Sequence, residues 1–228
     1  MRDEKGPLRL IVFDCDGTLV DSQQNIIAKM TAAFAELGLP RPDPDAIRAL
    51  IGLSLESTMR ALVPGLGDGD VARLVAGYKQ QFFADRDAEA SSEPLFPHAD
   101  TVLRQLVAAG YLLGVATGKS RRGLDAVLGG HNLKNIFVTR QTADGHPGKP
   151  HPSMLYQAMA EVGVEAGNTL MLGDTSFDMA MAVNAGVHPL GVGWGYHSVA
   201  ALHDAGARVV LDDFRELVSY VSAQWPAA

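Results

Sequence analysis

The stretch "LRLIVFDCDGTLVDS", residues 8–22, begins as a short apolar run with β-branched Ile11 and Val12, then places Asp14, Asp16 and Asp21 within eight residues. The run has the length and composition of a buried strand. Carboxylates gathered at a strand end repel one another. That much negative charge points to a cation, or to a reacting group, at the same place.

Working outward, similar apolar runs recur at 111–117 ("YLLGVAT"), 135–139 ("NIFVT"), 169–174 ("TLMLGD"), 188–194 ("HPLGVGW") and 207–213 ("ARVVLDD"). Helical periodicity lies between them. Val102, Leu103, Leu106 and Val107 share a face of 100–109, and Met154, Leu155, Ala158 and Met159 share a face of 152–162. Strands alternating with helices predict βαβ units and a parallel sheet, an α/β fold.

The alternation breaks between 23 and 93. Ile26, Ile27, Met30, Ala33, Phe34 and Leu37 recur at helical spacing, "GLP" (38–40) ends that helix, and further helical stretches follow near 43–50, 54–63 and 69–86. Four helices without a strand read as a module inserted after the first strand. The expected division is a discontinuous core, residues 1–22 and 94–228, and a helical domain, residues 23–93. Two short crossings join them, Ser22–Gln23 and "SSEPLFPH" (91–98), a hinge-like arrangement.

A chain of 228 residues with 47% hydrophobic and 20% charged residues has the makeup of a folded globular protein. Its net charge of −7, with no Lys/Arg cluster to offset it, argues against a nucleic-acid partner. The single cysteine, Cys15, excludes an internal disulfide and fits a reducing compartment. The N-terminal apolar stretch is too short for a signal peptide, and no run reaches the ~18 apolar residues of a membrane span. The expectation is a soluble, cytoplasmic protein with no membrane partner. The oligomeric state is left open.

In a parallel sheet, ligands bind beyond the carboxyl ends of the strands. Asp14 and Asp16 leave the first strand there, Thr117 the second and Asp174 the fourth, while Lys149 sits in the Gly/Pro-rich loop "GHPGKPHP" (145–152). Clustered carboxylate oxygens suit a hard cation such as Mg²⁺, which keeps several waters and takes one or two carboxylates with a phosphate oxygen. A hydroxyl, an ammonium and backbone N–H groups suit the phosphate itself.

The segments "DCDGTLVDS" (14–22), "ATGKS" (116–120), "GKPHP" (148–152) and "GDTSFDM" (173–179) resemble, in order, the four motifs of the haloacid dehalogenase-like hydrolases. The inserted helices resemble the cap of the phosphoglycolate phosphatase-like branch, so the resemblance spans nearly the whole chain. It implies a Rossmann-like core with an inserted α-helical cap domain, and a small turn and hairpin flap after the nucleophile. It implies Asp14 as the nucleophile, forming an aspartyl phosphate, and Asp16 as acid toward the leaving alkoxide and then base toward water. Thr117 and Lys149 are expected to hold the transferring oxygens, with Cys15, Asp16 and Gly118 completing the phosphate seat. Mg²⁺ is expected on Asp14, the backbone carbonyl of Asp16, and Asp174. Asp178 is expected to act through water or by orienting Lys149. An anion attacking a phosphate dianion is repelled by about 4 kcal/mol per charge pair at 4 Å and an effective dielectric near 20, which the metal and lysine offset.

Each of these residues also has an ordinary structural role. Asp16-Gly17 is a hairpin-turn pair, Asp21-Ser22 a helix cap, Thr117 a strand-end hydroxyl and Lys149 a solvated loop lysine. Asp174 and Asp178 suit the start of a helix at Thr175, and Cys15 suits packing. The seven histidines show no metal-ligand spacing. Dehalogenase and phosphonate-cleaving relatives lack an aspartate two residues after the nucleophile, so Asp16 argues for phosphomonoester chemistry. A sugar-phosphate mutase of the same fold and a catalytically silent phospho-ligand binder stay open. The expected partner is a small phosphorylated metabolite, phosphoglycolate first. The loop "LIGLSLES" (50–57) is expected to face the site at Gly52, with Arg48 and Arg60 either reaching a second substrate anion or lying on helix surfaces.

Overall fold

All four residues of β1 (Leu10–Phe13) are buried, as the apolar run predicts. In the computed structural model, which describes residues 6–84 and 93–225, β1 lies inside a six-stranded sheet of order β3-β2-β1-β4-β5-β6. The other strands are β2 (Leu112–Thr117), β3 (Phe137–Thr142), β4 (Thr169–Gly173), β5 (His188–Val192) and β6 (Val209–Leu211), and every neighbouring pair is parallel. The chain builds from β1 through β2 to β3, then returns to the other side of β1 with β4. That reversal leaves a crevice beyond the carboxyl ends of β1 and β4, where Asp14 and Asp174 stand.

The helices following the strands are α5 (Ala99–Ala108), α6 (Arg121–Gly130), α7 (Ser153–Val162), α8 (Ser176–Ala185), α9 (Val199–Asp204) and α10 (Glu216–Gln224). Side chains of β1 alternate between two cores, as a pleated strand requires. Ile11 and Phe13 join Leu103 and Leu106 of α5, Leu128 of α6 and Leu217 of α10. Leu10 and Val12 join Met154 and Leu155 of α7 and Met181 of α8. Phe13 lies 6.5 Å from the Phe214 ring and 6.1 Å edge-on from Phe137. Burying a side chain of that size stabilises by about 1.5–3 kcal/mol, and here it anchors the strand that ends at Asp14.

Three details differ from the sequence reading. Val107 is 43% exposed, because Val102, Leu103 and Leu106 alone cover the sheet and leave it on the flank of α5. β3 starts two residues later than expected and runs on through Arg140 and Gln141 to Thr142. At the sheet edge it needs no continuous apolar run. Helix α6 is not announced by the sequence, since Gly123, Gly129 and Gly130 weaken its pattern. It is nucleated by Ser120, whose side chain accepts the Gly123 N–H, and held by buried Leu124, Val127 and Leu128.

Between β1 and α5 come α1 (Gln23–Glu36), α2 (Pro44–Arg48), α3 (Leu55–Leu62) and α4 (Asp68–Ala84). They gather around their own apolar cluster of Ile26, Met30, Phe34, Ile47, Ile51, Met59, Val71 and Leu74. These four helices are called the cap. Residues 85 and 86, where the fourth helix was expected to end, lie outside the described residues, as do Ser91 and Ser92 of the second crossing. The two crossings run side by side: Asp21 N–H donates to Pro94 O at 2.9 Å and Phe96 N–H to Leu19 O at 3.0 Å. Among the described residues no helix is long and apolar enough to cross a membrane.

Candidate active site

Asp14 continues β1 by one residue, its N–H donating to Leu172 O of β4 at 2.9 Å. The chain then turns sharply, with the Cys15 carbonyl accepting the N–H groups of Leu19 and Val20 at 2.9 and 3.0 Å. Gly17 adopts φ +80, and a Cβ there would meet Asp174 Oδ2 at 2.1 Å. Glycine is therefore required twice over, for the backbone conformation and for the approach of Asp174. Past the turn, Asp16 and Val20 form a single bridge, and Val20 bridges Leu95 antiparallel, which is the extent of the flap.

The motif ends meet around Asp14. Its Oδ1 lies 2.8 Å from Lys149 Nζ and accepts the Cys15 N–H at 2.6 Å. Lys149 Nζ lies 2.6 Å from Asp178 Oδ1, and both side chains are fully buried. Asp178 in turn completes a capping box at the start of α8, its Oδ2 accepting the Thr175 N–H and hydroxyl at 3.1 and 2.7 Å. The cap bonds and the Lys149 contact of Asp178 are thus carried by its two different oxygens. Asp174 Oδ1 accepts the Thr18 hydroxyl at 2.8 Å and Oδ2 the Tyr196 N–H at 3.0 Å. Thr117 is buried at the end of β2, its hydroxyl accepting the Lys119 N–H at 3.2 Å. The Cys15 N–H, expected to face phosphate, is taken by Asp14, and the thiol is buried.

Asp14, Asp174 and Asp178 bring carboxylate oxygens within 4.8 Å of one another. Three carboxylates against the one ammonium of Lys149 leave two formal negative charges in a buried space. Burial, and then the nearby Asp178, push the Asp14 carboxyl up to about 7, with Lys149 opposing. Burial raises Asp174 well above the ordinary carboxylate range too, helped by Asp178 and Asp14. Burial works against the Lys149 charge, yet Asp14 and Asp178 together hold its ammonium above the usual range. Asp14 Oδ2 is buried without a hydrogen-bond partner among the described residues. An all-oxygen donor set with uncompensated charge fits a hard divalent cation.

Asp16 sits to one side, between two donors the sequence reading did not nominate. Lys119 Nζ lies 2.7 Å from Asp16 Oδ1, and the Ser22 hydroxyl donates to the same oxygen. Ser22 precedes α1 but makes no side-chain cap bond, its hydroxyl being spent on Asp16. Tyr196, also unforeseen, links the two halves of the site: its N–H reaches Asp174 and its hydroxyl accepts the Ser22 N–H at 3.1 Å.

A cleft of about 700 Å³ opens from Asp16 between cap and core, lined on the cap side by Ile26, Met30 and Tyr78 and on the core side by Lys119, Ser120 and His146. The loop 50–57 forms one wall. A Cβ at Gly118 would meet Leu53 O at 2.8 Å, and one at Gly148 would meet Ser54 Cβ at 2.9 Å, so the cap loop rests directly on both core loops. Arg60 does not line this cleft; it is held by Glu56 and Asp68 at 2.8 and 2.9 Å. Arg48 does not line it either, pairing with Asp45 and donating to Gln23 Oε1 at 3.0 Å. Both guanidinium groups are thus paired within the inserted helices, outside the cleft lining.

Gly52 has φ +103, and a Cβ would stand 3.2 Å from Thr175 Oγ1, beside the Asp174 motif. Gly52→Ala is expected to destabilise by about 1–3 kcal/mol through backbone strain and to re-rank substrates, while Asp14 phosphorylation persists. Denaturant unfolding and kcat/KM across a phosphoester panel measure both effects. An unchanged ranking would remove the loop from substrate recognition.

A sequence model of the haloacid dehalogenase-like hydrolases matches residues 11–192. A probable phosphatase, IndB, of Dickeya dadantii is 37% identical over 217 residues, covering 94% of each chain. A phosphoglycolate phosphatase of Psychrobacter arcticus is 28% identical over 225 residues, covering 96% of this chain and 98% of its own. The solved structure of a haloacid dehalogenase-like hydrolase from Streptococcus pneumoniae superposes with a TM-score of 0.82 at 26% identity, over 94% of this chain and 98% of that one. The motif order, the meeting of the motif ends at one crevice and a family match across most of the chain lead to one conclusion: this protein belongs to the haloacid dehalogenase-like hydrolases.

Proposed function

We propose that the chain is a Mg²⁺-dependent phosphatase that hydrolyses a small phosphomonoester through an aspartyl phosphate on Asp14. The observation that carries this reading is the asymmetry of the Asp14 carboxylate. Lys149 and the Cys15 N–H hold Oδ1, while Oδ2 is buried without a hydrogen-bond partner among the described residues, which leaves its lone pairs for attack on phosphorus.

In the first step Asp14 Oδ2 forms a bond to phosphorus as the bond from phosphorus to the ester oxygen breaks. Asp16 delivers a proton to that leaving oxygen. In the second step water attacks phosphorus, Asp16 takes its proton, and the Asp14 carboxylate is released with inorganic phosphate. Thr117, the Gly118 N–H and Lys149 position the transferring oxygens. Mg²⁺ would be held by Asp14, Asp174 and the backbone carbonyl of Asp16, and when bound it supplies positive charge against the phosphoryl oxygens. Asp178 keeps Lys149 in place from 2.6 Å.

The reaction is supported by relatives named as phosphatases, and phosphoglycolate, named for several of them, is the first substrate to try. Phosphate release from a panel of phosphomonoesters tests the reading and separates hydrolysis from isomerisation or silent binding. Release is expected to require Mg²⁺ and fall to background in excess chelator. Ca²⁺ is expected to inhibit, because it gathers more oxygens at longer distances and draws both oxygens of Asp14, leaving neither to attack. Full turnover in chelator would overturn the metal assignment.

A further inference from the structure

Lys119, largely enclosed at the cleft wall, and Glu93, buried behind it, are ionisable residues to which the reaction above gives no part. The Lys119 ammonium lies 2.7 Å from Asp16 Oδ1 and 3.1 Å from Glu93 Oε2, and none of the three side chains is more than 10% exposed. Glu93 is itself held firmly. Its Oε1 accepts from Asn25 Nδ2 at 2.9 Å, and its carbonyl accepts from His131 Nε2 at 2.9 Å. A lysine enclosed between two carboxylates keeps its charge paired, and removing either partner leaves a poorly solvated charge behind.

The consequence falls on one oxygen. Lys119 and the Ser22 hydroxyl both grip Asp16 Oδ1, which fixes the rotation of the carboxylate. Both contacts fall on Oδ1, and Asp16 lines the cleft. We propose that Glu93 is a positioning residue for Asp16: it fixes Lys119, Lys119 fixes Oδ1, and Oδ2 is thereby aimed at the leaving oxygen. The inference rests on the reading that Asp16 transfers a proton. Ser22 belongs to the first crossing between core and cap and Glu93 to the second, so the first reaches Oδ1 directly and the second through Lys119.

The test compares Glu93→Gln with the unaltered enzyme in the first turnover, following alcohol release from an alkyl phosphate and phenol release from an aryl phosphate, with Mg²⁺ present. An alkoxide needs the proton and an activated aryl oxide does not. Alkyl release is expected to slow by about tenfold to a hundredfold, as for a misaimed acid, with aryl release and KM within about threefold. In a Lys119→Gln background, adding Glu93→Gln is expected to cost nothing further, because its effect runs through Lys119. Equal losses with both substrates, or an undiminished Glu93 effect without Lys119, would overturn the proposal. If Glu93→Gln does not fold by circular dichroism, Glu93→Asp, whose charge sits one methylene short, replaces it. A smaller loss confined to the alkyl ester supports the proposal and a uniform loss overturns it. Asp16→Asn is the reference. If it too fails to separate alkyl from aryl esters, the acid assignment falls; if it separates them and Glu93→Gln does not, only the positioning role falls.

Discussion

Asp14→Asn is expected to yield a folded protein whose phosphate release is lower by roughly four to six orders of magnitude. Removing a covalent nucleophile leaves only binding and positioning, and losses of about that size follow when such a group is removed from other hydrolases. The side chain keeps its shape, and Lys149 keeps its contact with Asp178 at 2.6 Å, so the fold has no reason to open. The thermal midpoint is expected to stay within about 4 °C of the unaltered protein. Phosphate release at matched concentration, with the melting curve as control, decides it. Near-normal turnover would place the nucleophile elsewhere.

Asp16→Asn should separate the two half-reactions. The variant loses the proton donor for the first step and the proton acceptor for the second. An alkyl phosphate should stall before Asp14 is phosphorylated, with turnover down by about 10²–10⁴. An activated aryl phosphate should still release its phenol in a burst and then stop, leaving phosphate on Asp14. Mass spectrometry of the quenched protein should find the phosphoryl adduct on the peptide carrying Asp14. A burst without an adduct would move the nucleophile. Equal loss with both esters, with neither burst nor adduct, would reduce Asp16 to a turn residue.

The strands were legible because a parallel sheet buries both faces of its inner strands, so β1 and β4 are apolar runs that stop just before the clustered aspartates. Asp14, Thr117 and Asp174 could be placed for the same reason: each is the residue at a strand end, where topology alone determines its neighbourhood. Lys149 and Asp178 were readable through motif order, and their contact follows from Asp178 standing in the first turn of α8. The partners of Asp16 were not readable. Ser22 reads as a helix cap, Lys119 is one residue of "ATGKS" and Glu93 one residue of the second crossing, neither with a role of its own. What joins them is burial across three separate segments, which no local pattern records. Tyr196 escaped for a similar reason, since its decisive contact with Asp174 is made by a backbone N–H that any residue type supplies. For Arg48 and Arg60 the sequence left two readings open, the cleft or a helix surface, and acidic neighbours within the inserted helices hold both guanidinium groups outside the cleft lining.

The cap leaves the core and returns to it through strands of chain that share a backbone hydrogen bond, Asp21 to Pro94. To the sheet, everything between those two residues is a closed loop whose ends already touch. The entropy of closing such a loop grows only with the logarithm of its length, so the core is almost indifferent to how much chain is threaded through that doorway. A longer, shorter or differently folded insert would leave β1 in register and Asp14 where it is. What it would have to reproduce is small and local: a backbone thin enough to lie against Gly118 and Gly148, and a carboxylate at the exit to meet Lys119.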